Sequence, residues 1–180
     1  LAINDTRNSI ITKILLEKVK ENRKVLVLSD RVLQCERLNE FFYRNCIDGK
    51  IGDTFIGKKK KDELEKAMDA DVIFATYGIF KEGVDCPLLD TLIFATPKTD
   101  ITQAVGRILR QKNNNLPEVI DIVDSVGPLK NQYYKRNRWY KGKGYNITYY
   151  NQEMEKVGQS DEYSRNNESK VGKCIIKSET

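Results

Sequence analysis

Short apolar runs alternate with longer amphipathic segments through residues 5–124 of the chain. Apolar residues fill positions 25–28, 72–75, 92–95 and 119–123, with a briefer pair at 55–56, and runs of this length predict buried strands. Apolar residues recur at helical spacing in segments 5–22 and 32–43, and the charged segment 58–68 predicts a further helix. Such alternation is typical of an α/β fold with a mainly parallel sheet.

The first two predicted helices have recognisable ends and faces. Asn4 or Asp5 is suited to cap the first helix, because a short polar side chain can accept hydrogen bonds from the first helical turn. The second helix is expected to bury four large apolar side chains, which are Leu33, Leu38, Phe41 and Phe42.

The composition changes near residue 129. Residues 129–143 contain no acid and carry the cations Lys130, Lys135, Arg136, Arg138, Lys141 and Lys143, interleaved with Tyr133, Tyr134, Trp139 and Tyr140. This pattern predicts either an amphipathic helix that packs its aromatics on the domain or a surface that binds nucleic acid by charge and stacking. Beyond residue 150 apolar periodicity fades. We therefore expect a main domain at 1–125, a basic aromatic extension packed on it at 126–150, and a mobile polar tail at 151–180 with a short ordered piece at 174–176.

Composition excludes several kinds of chemistry. The chain has no histidine, which removes histidine acid–base catalysis, Ser-His-Asp triads and histidine-ligated metals, and we expect no resident metal site. Its four cysteines are scattered, as in reduced intracellular proteins. No apolar run is long enough for a membrane span, so we expect no membrane partner. Because the chain begins at Leu1 without a signal-peptide pattern, we expect it to be part of a longer intracellular protein of the cytoplasm or nucleus.

Two segments between residues 75 and 110 place polar residues after apolar runs, where an open parallel sheet binds its ligands. In the first segment, the Thr76 hydroxyl can donate to a phosphate, and Asp85, which follows Gly83 and Val84, can accept from a ribose hydroxyl. In the second segment, the spacing Q-x-x-G-R-x-x-R joins four residues: Gln103, Gly106, Arg107 and Arg110. On a helix both guanidinium groups lie on nearly one face, an arrangement that suits a polyphosphate, although two ordinary surface arginines remain an alternative.

Another segment imitates a phosphate-binding loop. Residues 52–58 fit G-x-x-x-x-G-K, but Lys59 stands where the magnesium-binding hydroxyl belongs, and the bulky Phe55 and Ile56 would crowd a loop that wraps phosphates. A strand followed by the N-terminus of a basic helix is the better interpretation, with Gly57 and Lys58 placed to contact phosphate. A solvated lysine run is the alternative.

In this order and spacing the motifs resemble those of the second RecA-like domain of superfamily 2 helicases and translocases. Residues 25–31 resemble motif IV of that family, residues 76–85 motif V, and residues 103–110 motif VI. The glutamine that begins motif VI favours a resemblance to XPB-like and large-DNA-virus, transcription-type enzymes. The segment after Asp124 resembles the C-terminal extensions of the large-DNA-virus enzymes more loosely. The resemblance implies a RecA-like three-layer sandwich, in which helices flank a mainly parallel sheet, with the basic extension added at its C-terminal side.

The resemblance also implies an ATP-dependent hydrolase. Arg107 and Arg110 would act as arginine fingers with Gln103 beside them, while Gly83, Asp85 and Gly106 would line the nucleotide. The phosphate backbone of DNA or RNA would contact Thr76, Gly57, Lys58, Ser29 and Arg31.

ATP and Mg²⁺ are expected to be held mainly by a first RecA-like domain, whose motifs this chain lacks. We therefore expect the chain alone to be inactive and the first RecA-like domain to be its partner. For a viral protein, a virion or a cytoplasmic replication site is also expected. Two alternatives stay open: a non-catalytic RecA-like module that docks nucleic acid or a protein, and an unrelated nucleotide-binding domain that uses residues 52–59.

Overall fold

The computed structural model describes residues 4–46, 49–57, 69–81, 88–109, 115–124, 127–151, 153–159 and 173–178. The helices in these ranges are α1 (Asp5–Lys20), α2 (Val32–Asn45), α3 (Tyr77–Lys81), α4 (Thr102–Leu109) and α5 (Gly127–Gly142). The strands are β1 (Val25–Ser29), β2 (Gly52–Phe55), β3 (Val72–Thr76), β4 (Thr91–Phe94), β5 (Glu118–Val123), β6 (Asn146–Tyr150), β7 (Lys156–Gln159) and β8 (Lys173–Ser178). The predicted helix at 58–68 lies outside the described residues.

The strands form one sheet in the order β2-β3-β1-β4-β5-β8-β6-β7. Every described pairing is parallel except that of β6 with β7. The order reverses direction at β1, which pairs with β3 on one side and β4 on the other. In such a sheet a ligand crevice forms beyond the carboxyl ends of the strands at the reversal. The predicted α/β fold with a mainly parallel sheet and flanking helices is confirmed.

Both faces of the sheet are covered, which explains why β1 reads as a continuous apolar run. Successive side chains of a strand point to opposite faces, and accordingly Val25 and Val27 pack in one core while Leu26 and Leu28 pack in the other. The first core contains the apolar sides of α1 and α2, and the second contains those of α3, α4 and α5. The three layers follow from this arrangement.

The helix ends and faces agree with the sequence pattern except at one position. Asn4 caps α1, where its Oδ1 accepts from the Arg7 backbone N–H at 2.8 Å. On α2, Leu38 and Phe42 are buried as predicted and Phe41 is half-buried, but the prediction for Leu33 is wrong, because this side chain is 49% exposed. The helix turns Gln34 inward instead, towards polar partners that the apolar pattern does not reveal.

The C-terminal part of the chain extends the sheet. α5 follows β5 and packs its Trp139 and Tyr140 against the second core. β8 lies between β5 and β6, at the place where the sequence predicts a short ordered piece, whereas β6 and β7 have no clear signal in the sequence. In the described ranges, none of the helices has the length and apolar character that crossing a membrane would require.

Candidate functional site

The carboxyl ends of the central strands share one edge of the sheet. Ser29, the last residue of β1, stands in register with Thr76, the last residue of β3. Phe55 ends β2 opposite Ala75, so Gly57 lies just past the same edge. The structure therefore brings together three segments that the sequence analysis assigned to nucleic acid: the loop after β1, Thr76, and the turn after β2.

A shallow pocket lies beside this edge, between α3 and α4. Its lining consists of Tyr77, Phe80, Asp100, Gln103, Ala104 and Arg107. α4 begins where the Asp100 carboxylate accepts a hydrogen bond from the Thr102 backbone N–H at 3.1 Å. The helix buries Val105 and Ile108 in the core, and this leaves Gln103 and Arg107, four positions apart, on the face that lines the pocket.

Arg107 is held in a defined orientation. Its Nη1 donates to the carbonyl oxygen of Phe80, and its Cζ atom lies 4.7 Å from the centroid of the Phe80 ring. An aromatic face attracts a cation at this distance. A Cβ added at Gly106 would meet nothing within 4 Å, so no described atom packs closely on α4 there, and the Arg107 side chain is itself partly exposed. The guanidinium group is thus both positioned and approachable.

A second cation, Lys98, lies at the same edge. Its Nζ is 2.7 Å from Asp30 Oδ1 and 4.9 Å from the centroid of the Tyr77 ring. Burial, with Asp121 and Asp30 nearby, raises the pKa of Tyr77 well above its usual value of 10.0. The hydroxyl therefore stays protonated and donates to the Thr96 carbonyl oxygen at 2.8 Å.

Ser29 and Arg31 have different environments. The Ser29 side chain is fully buried, and its hydroxyl donates to Gln34 Oε1 at 2.7 Å and accepts from the Arg31 backbone N–H at 3.0 Å. Gln34 in turn donates to Asn8 Oδ1 at 2.9 Å. As placed here, Ser29 shapes the loop and does not itself face solvent. Arg31, at the start of α2, is exposed.

Residues 52–57 do not have the geometry of a phosphate-binding loop. Gly52 begins β2 and pairs in register with Val72, so this segment is a strand and not a loop. Gly57 follows with a φ of +72°, a conformation that favours glycine, and it is exposed. This supports the interpretation of the segment as a strand and a turn.

Four residues that the sequence analysis assigned to the site lie outside the described residues, and they are Lys58, Gly83, Asp85 and Arg110.

Some residues at this edge were not anticipated from the sequence. Lys98 and Asp30 could have been found, because each follows a predicted strand. Arg7 gives no such signal, since it is one of many cations on a helix. It donates from Nε to the Ala95 carbonyl at 2.9 Å and pairs with the Asp124 carboxylate, tying α1 to the ends of β4 and β5. Burial raises the pKa of Asp124, and Arg7 partly offsets that rise.

Comparisons with known proteins find viral relatives that are named as helicases. It is 35% identical over 147 residues to "Putative ATP-dependent RNA helicase L396" of Acanthamoeba polyphaga mimivirus, covering 80% of the chain and 28% of that protein. It is 39% identical over 87 residues to "Putative ATP-dependent RNA helicase QP509L" of African swine fever virus, covering 47% of the chain and 17% of that protein. A third relative, "Putative helicase 161L" of Invertebrate iridescent virus 6, is 27% identical over 157 residues, covering 79% of the chain and 35% of that protein. The chain thus spans about a third or less of these relatives. No protein-family model matches it.

Solved structures share the fold. T4 UvsW superposes with a TM-score of 0.61 at 18% identity, covering 79% of this chain and 33% of that chain. The helicase domain of Pyrococcus furiosus Hef superposes with a TM-score of 0.54 at 19% identity, covering 71% of this chain and 28% of that chain. The C-terminal part of the Fun30 ATPase domain superposes with a TM-score of 0.58 at 14% identity, covering 69% of this chain and 43% of that chain. The named relatives support a helicase-domain role. The fold is the one that the motifs of this chain predict. These relatives and this fold are consistent with a C-terminal, RecA-like domain of the superfamily 2 helicases.

Proposed function

We propose that this chain is the C-terminal motor domain of an ATP-dependent helicase or translocase. In this role it completes an ATP site with arginine fingers and contacts the phosphate backbone of DNA or RNA. The observation that carries the proposal is Arg107, which is held over Phe80 at the carboxyl edge of the sheet and lines an open pocket with Gln103. The names of the viral relatives support ATP dependence.

We propose that the pocket receives the phosphates of a nucleotide presented from outside the chain. A guanidinium group offers several N–H donors in a fixed plane, and one of them is already used by the Phe80 carbonyl. In the proposed role Arg107 donates to phosphate oxygens with the Gln103 amide beside it, and Arg110 is proposed as the second arginine finger. Gly83 and Asp85 are proposed for the ribose side. ATP and Mg²⁺ would be held mainly by a first RecA-like domain, and the chemistry supplied there is phosphoryl transfer to water.

Fixing Arg107 in advance matters for its role. A donor that already points at the developing charge costs no reorganisation during the reaction, which makes preorganised charges effective in catalysis. In related phosphoryl-transfer enzymes an arginine finger contributes about 10³- to 10⁵-fold in rate. The contacts to Phe80 would supply this preorganisation here.

Nucleic acid would contact the strand ends at this same edge. Thr76 ends β3, Gly57 follows β2, and Arg31 stands exposed at the start of α2. Lys58 is proposed to add a cation after Gly57, while Ser29 positions the Arg31 loop from inside. Contacts of this kind position the backbone without reading sequence.

A non-catalytic docking module is the second candidate, and one observation favours it. The bond from Arg107 to the Phe80 carbonyl is also what a purely structural arginine would make. The docking module predicts that Arg107 contributes to folding and not to turnover.

ATP hydrolysis by the longer protein that contains this chain separates the two. In Arg107→Ala we expect kcat to fall about 10³-fold or more, with the chain still folded and still binding nucleic acid. Arg44→Ala is the matched control, because Arg44 is exposed on α2, where it pairs only loosely with Glu40 at 3.7 Å. Wild-type turnover in Arg107→Ala would reject the arginine-finger role.

A further inference from the structure

α5 divides its side chains between two faces. Arg136 and Tyr140 are buried, and Trp139 packs partly buried on the second core. The opposite face carries four exposed side chains at helical spacing: Lys130, Tyr134, Arg138 and Lys141. The two expectations for this segment are therefore compatible, because most of its aromatic rings pack inward while its charge faces outward.

The outward charge is not neutralised. Arg136, the buried cation of the helix, pairs with Asp121, whereas in the ranges that the structure describes none of the outward cations forms an ion pair. Residues 129–143 contain no acid. The stripe from Lys130 to Lys141 covers twelve residues, or about 16.5 Å of helix. A continuous cationic row of this length matches a phosphate backbone better than it matches a small anion.

Tyr134 lies inside this row. Its ring is 51% exposed, and the Lys130 ammonium lies 6.0 Å from the ring centroid. An exposed ring among cations can stack an unpaired base while the cations hold the adjacent phosphates. A base pair within a duplex offers no free face for such stacking, so the ring favours single-stranded nucleic acid.

The helix is anchored next to the proposed nucleic-acid edge. Arg136 Nη1 donates to the carbonyl oxygen of Lys98 at 3.1 Å, and Lys98 itself pairs with Asp30, the neighbour of Arg31. The middle of α5 therefore contacts the loop that borders the edge. A strand bound at Arg31 would therefore lie beside the helix whose outer face carries this cationic row.

We propose that the outer face of α5, defined by Lys130, Tyr134, Arg138 and Lys141, is a second contact surface for single-stranded nucleic acid. It extends the backbone contacts made at the strand ends. The inference rests on the proposed function, because it presumes that nucleic acid binds at that edge.

The test measures binding of a fluorescent single-stranded oligothymidylate to the 180-residue chain by anisotropy, from 0.05 to 0.3 M salt. In the double variant Arg138→Gln with Lys141→Gln, two lost phosphate contacts should reduce the slope of log K against log salt by about 1.4, which corresponds to about 25-fold weaker binding at 0.1 M salt. The matched control removes the same charge from exposed positions of α1, by Lys13→Gln with Lys20→Gln. An α5 variant that behaves like this control would overturn the proposal, as would a wild-type chain that does not bind.

A second pair of variants examines the ring. Tyr134→Ala should weaken binding of the single strand at least about fivefold, and Tyr134→Phe should bind like wild type because it keeps the aromatic face. Equal affinity for Tyr134→Ala, or an equal loss for a duplex of the same length, overturns the assignment to single strands. Arg31→Gln distinguishes this inference from the proposed function. If it weakens binding while the α5 variant does not, the surface on α5 is rejected and the proposed edge is retained.

Discussion

Removing Arg136 should destabilise the chain far more than removing an exposed cation. Arg136 is 1% exposed and Asp121 is fully buried, and the guanidinium donates to both carboxylate oxygens, at 2.6 and 2.9 Å. Tyr140 donates to the same carboxylate at 3.2 Å. In Arg136→Met the apolar stem is largely kept, while Asp121 loses its charged partner. Leaving a buried charge without its partner costs about 3–5 kcal/mol.

That loss is large compared with the stability of the whole domain. Domains of this size are stable by about 5–15 kcal/mol, and the slope in urea is about 2 kcal/mol/M, so the urea midpoint should fall by about 2 M. Trp139, the only tryptophan, lies on α5, and its fluorescence reports the packing of that helix while circular dichroism reports the whole fold. If α5 loosens first, the fluorescence transition will precede the dichroism transition.

A second variant separates the ion pair from simple packing. Arg136→Met with Asp121→Leu replaces both charges by apolar groups, and such replacements are often neutral or stabilising, so most of the lost stability should return. Arg44→Met removes one partner of an exposed pair and should change little. A loss below about 1 kcal/mol in Arg136→Met, or a double variant no more stable than the single one, would refute the reasoning.

Further predictions concern the edge, the core and titration. Asp30→Asn should release Lys98 and tighten binding of single strands about fivefold at 0.1 M salt, measured by anisotropy, and weaker binding would contradict this. Gly52→Ala should lower stability by about 1–3 kcal/mol in urea unfolding, because the added Cβ would lie 2.8 Å from a neighbouring side-chain oxygen, and a neutral result would show that the site relaxes. Burial lowers the pKa of Lys18, but its two glutamate partners outweigh this and raise the pKa above 10.5. The stability that Lys18 contributes should therefore be complete below pH 10.5 and lost at higher pH, and Lys18→Met should remove that decline from the unfolding profile. Burial raises the pKa of Cys35 to about 12, so iodoacetamide at pH 8 should modify it only after unfolding, as peptide mass spectrometry would show.

The sequence predicted the strands well, because a strand covered on both faces must be apolar at successive positions. β1 and β3 are of this kind, and their predicted and observed ranges nearly coincide. Leu33 shows where the pattern fails. The inward turn of α2 is set partly by the polar chain from Ser29 through Gln34 to Asn8, and hydrophobic periodicity carries no information about such partners. β6 and β7 were not predicted for a related reason, since Ile147 is buried while the other described side chains of these strands are half-buried or exposed.

The part of the candidate site that depends on local geometry was predicted, and the part that depends on tertiary contacts was not. Helical spacing was enough to place Gln103 and Arg107 on one face, because this follows from local geometry alone. The bond from Arg107 to the Phe80 carbonyl could not be predicted, since that oxygen belongs to another helix and a backbone oxygen leaves no mark in the sequence. Ser29 looked like a phosphate contact from its position after a strand. Its burial depends on Gln34, whose inward direction emerges only in the folded chain.

One short element connects the part of the site proposed for ATP, at Arg107, with the part proposed for nucleic acid, at Thr76. Thr76 ends β3, and α3 begins at the next residue, so the strand end and the helix form one continuous segment. Arg107 bonds to the Phe80 carbonyl within that helix, and the Tyr77 hydroxyl fixes its first turn to Thr96. A phosphate drawn to Arg107 and a backbone drawn to Thr76 would therefore act on the same short element. Because packed interiors deform little, a shift at one end of this element is transmitted to the other.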